Sequence, residues 1–207
     1  MPNRSRASGD VVALTVLAFT AEAPRHPYDI QRAIRERHKD FAAGKPRALY
    51  RSVERLEQDG LIEPVETRRE GKRPERTVYK ITEEGVDELE GWLGELLEVA
   101  KPEYPAFSVG LSFAAYLPAG VVISRLQART VELLTIVAGA EAAFKSLREE
   151  VGLPRAVLLD GELQLALRKA ELEWTWALIE DLRGKRLWWT REDLVRQFEK
   201  HKEQGTR

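Results

Sequence analysis

The chain of 207 residues contains no cysteine and only three histidines. Without cysteine it can hold no disulfide framework, zinc ribbon, iron–sulfur cluster or cysteine nucleophile. The histidines, His26, His38 and His201, accompany no glycine-rich phosphate loop and no paired-carboxylate signature. The sequence therefore predicts no metal, no cofactor and no enzyme, and the lack of cysteine favours the reducing cytoplasm.

A long hydrophobic run is also missing. The longest apolar stretch near the amino terminus, residues 11–21, is much shorter than the roughly 20 residues that a membrane-spanning helix needs. Arg4 and Arg6 precede it as in a signal peptide, but Pro24 and a polar segment follow in place of a convincing cleavage site. We expect neither membrane insertion nor secretion.

Charge is unevenly distributed along the chain. Residues 1–82 hold 17 Lys and Arg against 12 Asp and Glu, whereas residues 83–207 hold 16 against 22. A basic part joined to an acidic remainder is typical of a nucleic-acid reader with a separate assembly module. We therefore predict a DNA-binding domain over residues 1–82 and a helical dimerisation or effector domain over residues 83–207.

Three helices and a hairpin are predicted in the basic part. Asp10 can cap a helix that runs to about Ala21, and Pro27 and Pro46 suit the first turns of two more. Gly60 is the expected left-handed stop of the third helix. Strand-like runs over residues 61–69 and 76–81 then flank a polar, glycine-bearing tip. This is the element order of a winged helix-turn-helix.

The third helix has one apolar and one polar face. On a helical wheel Leu49, Val53 and Leu56 fall together, so this face can pack on the first two helices. The opposite side and its flanks carry groups that suit the major groove of DNA, where arginine can pair bidentately with guanine. The candidate DNA-binding residues of this helix are Lys45, Arg47, Tyr50, Arg51 and Arg55.

The hairpin tip adds further positive charge beside that helix. Basic side chains at a wing can reach the phosphate backbone or the minor groove. The candidate DNA-binding residues of the wing are Arg68, Arg69, Lys72 and Arg73. A charged helix face alone is more often only solvated, and it is the neighbouring basic tip that favours DNA.

Three segments resemble the PadR family of transcriptional regulators. Residues 49–62, LYRSVERLEQDGLI, are similar to the recognition-helix signature of that family, and residues 26–30, HPYDI, to the start of its second helix. Residues 79–85, YKITEEG, resemble its second wing strand and the threonine-to-glycine entry to the next helix. The resemblance implies a winged helix-turn-helix regulator that acts on operator DNA, most often as a repressor, and a DNA-contact role for Tyr50.

The sequence departs from the family pattern inside the recognition helix. The family often has glycine where Arg47 or Ala48 stands, and proline where Arg51 stands. The DNA-contact roles of Arg47 and Arg51 therefore depend on the helical wheel alone, and the departures are consistent with a different operator sequence.

The acidic part is predicted to be helical and dimeric. After Thr82, a helix cap, the apolar residues Val86, Leu89, Leu93, Leu96 and Ala100 form a heptad seam that suits pairing with another helix. Packing within one subunit is the alternative. Two long helices follow, with apolar stripes that begin at Val122 on the first and run from Leu163 through Leu167, Ala170 and Trp174 to Ala177 on the second.

The tryptophans admit two interpretations. In PadR-like proteins that bind flat aromatic ligands, a tryptophan on the helix after the wing lies at the dimer interface, and Trp92 is similarly placed. It either lines such a pocket or simply packs against the partner helix, which is the commoner role. Trp174 is predicted in the core, and Trp188 and Trp189 are predicted to anchor a terminal helix that begins at Thr190.

The fold class that we predict is mainly α: a winged helix-turn-helix with a small β-hairpin wing and a helical carboxy-terminal dimerisation domain. The predicted function is sequence-specific binding of a double-stranded DNA operator as a homodimer, with a small aromatic effector as a further partner. A MarR-like regulator and a winged-helix interaction scaffold without DNA are the alternatives.

Overall fold

The computed structural model describes residues 10–37, 46–68 and 76–190, together with Asp193 and Arg196. The helices of the described chain are α1 Val11–Glu22, α2 Pro27–Glu36, α3 Pro46–Gln58, α4 Glu83–Glu98, α5 Ala106–Ser112, α6 Ala119–Glu149 and α7 Leu159–Arg183. Strands β1 Ile62–Arg68 and β2 Arg76–Ile81 form an antiparallel hairpin between α3 and α4. The predicted mainly α, winged helix-turn-helix class is confirmed.

The chain divides into two compact units, residues 1–102 and 103–207. Helix α4 is part of the first unit because it packs against α1. The predicted domain boundary at residue 82 therefore lies inside the first unit, at the start of α4.

The core of the first unit is built around α1, which packs against α3, α4 and β2. Polar groups on α1 are satisfied inside the helix: the buried hydroxyl of Thr20 donates to the carbonyl of Val16 at 2.9 Å. The buried apolar residues of this core are Ala13, Val16, Leu17, Phe19, Ile30, Ala33, Ile34, Leu49, Val53, Leu56, Ile62 and Leu89. Burial of an aliphatic side chain contributes about 1.5–3 kcal/mol, so these residues hold helices α1 to α4 and the hairpin together.

The hairpin pairs Ile62 with Ile81 and is interrupted by a bulge between Pro64 and Glu66. Proline has no amide hydrogen to donate, which fits such an irregular position. On the other edge of the sheet, Arg25 and Tyr79 exchange two backbone hydrogen bonds of 2.9 Å each. The loop between α1 and α2 thus extends the hairpin by one residue pair and ties it to the helices.

The second unit consists mainly of α6 packed against α7. The predicted stripe of α6 is confirmed at its buried residues Val122, Leu126, Leu133 and Val137. On α7 the prediction was wrong. The residues of α7 that are buried are Leu172, Thr175, Ile179 and Leu182, and the predicted stripe is exposed, with Trp174 48% exposed.

Helix α4 differs from the predicted seam in two ways. Leu89 packs in the core of the first unit, whereas Val86, Leu93 and Leu96 are exposed. The helix ends at Glu98, so Ala100 lies beyond it. Leu97 is 88% exposed beside the outward part of the seam.

Among the described residues no helix combines the length and the apolar character that crossing a membrane demands.

Candidate nucleic-acid interface

Helix α3 presents one polar face to solvent and buries the other. Leu49, Val53 and Leu56 are at most 3% exposed, and they hold α3 against α1 and α2. Ser52 is buried between the turns, while Tyr50 is 44% exposed. The predicted orientation of this helix is therefore confirmed: it is docked through its apolar stripe with its polar groups outside.

Arg47, Tyr50 and Arg51 lie together on the exposed face. The Arg51 Nε donates to the carbonyl of Arg47 at 3.3 Å, a long contact inside the same helix. Within the described residues the terminal nitrogens of Arg51 form no hydrogen bond or ion pair, which leaves them available to an outside acceptor. Two guanidinium groups one turn apart beside a phenol can reach base edges and a phosphate from one docked helix.

The end of α3 is fixed by a Schellman motif. Gly60 has a φ of 73°, in the left-handed region that favours glycine. Its amide donates to the carbonyl of Glu57 at 3.0 Å, and the amide of Leu61 donates to that of Leu56 at 2.9 Å. The predicted stop is confirmed, and it turns the chain directly into β1.

A joint centred on Thr82 connects α3, the hairpin and α4. The Thr82 hydroxyl donates to the carbonyl of Gly60 at 2.8 Å and accepts from the amide of Gly85 at 3.0 Å. The Thr82 amide donates to the carbonyl of Leu61 at 3.1 Å. A Cβ on Gly85 would stand 2.1 Å from the Leu61 oxygen, so only glycine fits there. The spacing of three residues between Thr82 and Gly85 is therefore required by the packing of this joint.

A second tie joins the hairpin to α3. The Tyr79 hydroxyl donates to Oε2 of Glu57 at 3.2 Å. Burial and the neighbouring carboxylate of Glu57 raise the pKa of Tyr79 above its usual value, so the phenol stays protonated and keeps donating. The base of the wing is thereby held at a fixed angle to the exposed face of α3.

Arg55 is paired with a residue outside its own helix. Its guanidinium forms an ion pair with Asp10, whose other carboxylate oxygen accepts from the amide of Ala13 at 2.9 Å and caps α1. Burial alone raises the pKa of Asp10, but the bonds from Ala13 and Arg55 lower it below its usual value. The sequence shows Asp10 as a cap, but its pairing with a residue 45 positions away depends on tertiary packing.

The remaining predicted residues are only partly described. Lys45, Arg69, Lys72 and Arg73 lie outside the described residues, and for Arg68 the structure describes the backbone at the end of β1. Their DNA-binding roles stay predictions.

We expect Asp10→Asn to lower the free energy of unfolding by up to about 1 kcal/mol at neutral pH, because the amide oxygen of Asn can still cap α1 but the negative charge and the ion pair with Arg55 are lost. The folded pKa of Asp10 lies below its reference value of 3.8. The stabilisation is therefore present above that pH and disappears as the pH falls through the folded pKa. Urea unfolding of both proteins at neutral pH and at a pH of about 3 measures it. An equal difference at both pH values would contradict the charge-based account.

Trp92 lies on α4 with its ring packed against the core of the first unit. Its indole Nε1 is buried, yet it has no hydrogen-bond acceptor within the part of the chain that the structure describes. A buried donor without an acceptor costs about 1–3 kcal/mol, so such groups in proteins usually pair with a protein group, a water molecule or a ligand. The sequence indicated the position of Trp92 but could not indicate this unmet bond.

Comparison with known proteins identifies the family that part of the chain resembles. Residues 16–91 match the model of the Transcriptional regulator PadR-like family, which confirms the predicted resemblance over α1 to the middle of α4. No curated protein sequence matches the chain.

Solved structures extend the similarity to most of the chain. Bacillus subtilis PadR in complex with operator DNA superposes with a TM-score of 0.68 at 18% identity, covering 83% of this chain and 99% of that one. The same protein with p-coumaric acid gives 0.66 at 16%, covering 84% and 96%. The Vibrio cholerae virulence activator AphA gives 0.63 at 21%, covering 85% and 98%. At these identities the similarity shows the fold.

Proposed function

We propose that this chain, whose residues 16–91 form a PadR-like unit of transcriptional regulators, is a cytoplasmic homodimer that binds an operator in double-stranded DNA and represses transcription. DNA-binding transcriptional regulation is the function that the family match and the fold indicate. The observation that carries the proposal is the exposed face of Arg47, Tyr50 and Arg51 on a helix whose apolar stripe is buried. The protein then acts by binding, with no catalytic step.

Unpaired apolar surface supports the dimer. On α4 the exposed residues are Val86, Leu93, Leu96 and Leu97, and on α7 they are Leu159, Leu163, Leu167 and Trp174. The α7 residues lie on the side of that helix opposite the one that packs on α6. Apolar stripes of this kind mark association surfaces, because a monomer gains nothing from leaving them in water. Two copies would also supply two recognition helices, one for each half of an operator.

Selection of bound duplexes from a random pool, with the purified full chain, tests this function. We expect enriched sequences with two inverted half-sites whose centres lie about one helical turn, roughly 34 Å, apart. Sedimentation should give a dimer at micromolar concentration, and a reporter behind the enriched site should be silenced by co-expression. A monomer, or a pool without enrichment and with no salt dependence of binding, would favour the interaction-scaffold alternative.

Trp92 is the proposed contact of a small aromatic effector. Bacillus subtilis PadR, which is similar in fold, has been crystallised with p-coumaric acid, and the buried Trp92 Nε1 lacks an acceptor among the described residues. An aromatic molecule with an oxygen acceptor would satisfy that donor and stack on the indole. Because α4 starts at the Thr82 joint, occupancy there can be coupled to α3.

We expect p-coumarate to weaken operator binding by about 5- to 150-fold, the usual range of allosteric coupling. Trp92→Phe keeps an aromatic ring but removes the donor, so it should reduce this coupling while operator affinity without ligand stays nearly unchanged. Operator titrations with and without p-coumarate measure both quantities. Unchanged coupling in Trp92→Phe would exclude Trp92 as the contact.

A further inference from the structure

The second unit contains a cavity that DNA binding leaves without a role. Its volume is about 420 Å³, and it lies between the turn that precedes α6 and the segment that follows α7. Its large lining residues are Tyr116, Leu117, Pro118, Trp188 and Trp189. Small-molecule sites are typically clefts of about 300–1,000 Å³ lined by apolar and aromatic side chains, and this cavity has both properties.

One wall of the cavity is held rigidly. The Trp189 Nε1 donates to the carbonyl of Leu117 at 2.9 Å, and the ring packs against the buried cluster of the second unit. Next to it, the Thr190 hydroxyl donates to the Asp193 carboxylate at 2.8 Å. A wall that is already ordered loses little conformational entropy when a ligand arrives. Trp189 therefore anchors the segment after α7, as predicted, whereas Trp188, which was predicted to do the same, is exposed. Most of the predicted terminal helix lies outside the described residues.

The other aromatic residues of the cavity are turned to solvent. Tyr116 is 76% exposed and Trp188 is 48% exposed. The Lys185 ammonium lies 6.0 Å from the centroid of the Trp188 ring, at cation–π distance. Within the described part of the chain Lys185 has no carboxylate in an ion pair. Exposed aromatic faces beside such a cation suit a flat ligand that carries negative charge.

We propose that this cavity binds a planar aromatic anion of about two fused rings, with its ring against Trp188 and Tyr116 and its charge near Lys185. Stacking removes apolar ring surface from water on both partners, and the ammonium adds an electrostatic attraction. All of these residues belong to the second unit, whereas Trp92 belongs to the first. The proposed site is therefore built from residues of the second unit alone, and its test does not require DNA.

The probe for the test is 2-naphthoate, titrated into the full chain labelled with 5-fluorotryptophan. Fluorine NMR resolves the tryptophans once each signal is assigned by substitution. We expect the Trp188 signal to shift in a saturable way. Binding should be weaker for 2-naphthamide, which keeps the rings without the charge, and for cyclohexanecarboxylate, which keeps the charge without flat rings.

Variants sharpen this test. Tyr116→Ala, followed at the Trp188 signal, and Trp188→Ala, followed at the signal of Trp189, which also lines the cavity, should each raise the Kd of 2-naphthoate for this site by up to about tenfold. Lys185→Gln should reduce the preference for 2-naphthoate over 2-naphthamide by about two- to fivefold. The matched control is Trp176→Ala, because Trp176 is another exposed tryptophan of this unit that does not line the cavity. The Kd of 2-naphthoate for the Trp176→Ala variant should equal that of the native chain.

Three results would overturn the proposal. The first is a shift confined to the Trp92 signal, which would place the ligand on the first unit. The second is no shift at Trp188 up to millimolar probe. The third is dissociation of the dimer by Trp188→Ala in sedimentation, which would make the exposed aromatics a contact between subunits.

Discussion

Gly85→Ala should lower the free energy of unfolding of the first unit by about 3 kcal/mol, the upper end of the usual cost of overpacking. The added Cβ would stand 2.1 Å from the Leu61 oxygen and 2.7 Å from Cγ1 of Ile81. The carbonyl belongs to the backbone at the base of the hairpin, so it cannot rotate away as a flexible side chain would. Either the bond from Gly85 to Thr82 breaks or the hairpin moves off α4. Hydrogen exchange of the α1 amides measures the loss.

Gly94→Ala is the matched control for this prediction. Gly94 lies on the same helix, and no neighbouring atom stands within 4 Å of the place that a Cβ would occupy. Alanine there should therefore stabilise the unit by about 0.5–1 kcal/mol through helix propensity alone. If Gly85→Ala is as stable as the native chain while Gly94→Ala behaves as expected, the close contact at the joint does not exist in solution.

Arg51→Ala should weaken binding to the selected operator by about 1–3 kcal/mol, or roughly 5- to 150-fold, and relax the preference at one base position. The side chain lies on the exposed face of α3 and is restrained by the long 3.3 Å contact to the Arg47 carbonyl. Removing it leaves the buried stripe of α3 untouched, so the melting temperature should hardly move. Affinity measured against the operator and against each single-base variant gives both quantities.

Two further variants separate base reading from charge. Arg183→Ala removes the same charge from an exposed arginine of α7, which pairs with Glu180 in a surface bond of 3.1 Å, and operator affinity should not change. Tyr50→Phe should weaken all duplexes alike, because a phenol on the flank of α3 suits a phosphate rather than a base. Full affinity with unchanged preference in Arg51→Ala would mean that α3 does not read the operator.

Rules that use only neighbouring residues were sufficient to predict the buried face and the end of α3. The alternation of Leu49, Val53 and Leu56 predicted which side of α3 is buried, and Gly60 predicted where the helix ends. Both depend on residues close in sequence, where helical spacing and backbone conformation decide the outcome. The pairing of Arg55 with Asp10 does not follow from such rules, because it joins helices that meet only after the core has formed.

The spacing of apolar residues was least informative on α7, because that helix carries apolar residues on two faces and only one of them is buried against α6. The stripe through Leu163, Leu167 and Trp174 is regular and was predicted to pack within the protein, yet α6 covers the opposite face, at Leu172 and Ile179. A pattern shows which residues share a face but not which neighbour covers it. On α4, Leu89 and Leu93 belong to one predicted seam but differ in burial for the same reason.

The joint at Thr82 links the direction of α4 to the position of α3. The 16 residues of α4 give an arm about 24 Å long, which is joined to the last turn of α3 through Gly60 and Leu61 and packs on the core of the first unit through Leu89 and Trp92. A tilt of about 5° at the joint corresponds to a displacement of about 2 Å at the far end of such an arm. In the proposed homodimer, with α4 at the contact between subunits, the angle at which α4 leaves the joint would therefore set the spacing between the two α3 helices. A molecule that displaces α4 would then weaken operator binding without contact to Arg47, Tyr50 or Arg51, the proposed DNA-contact residues.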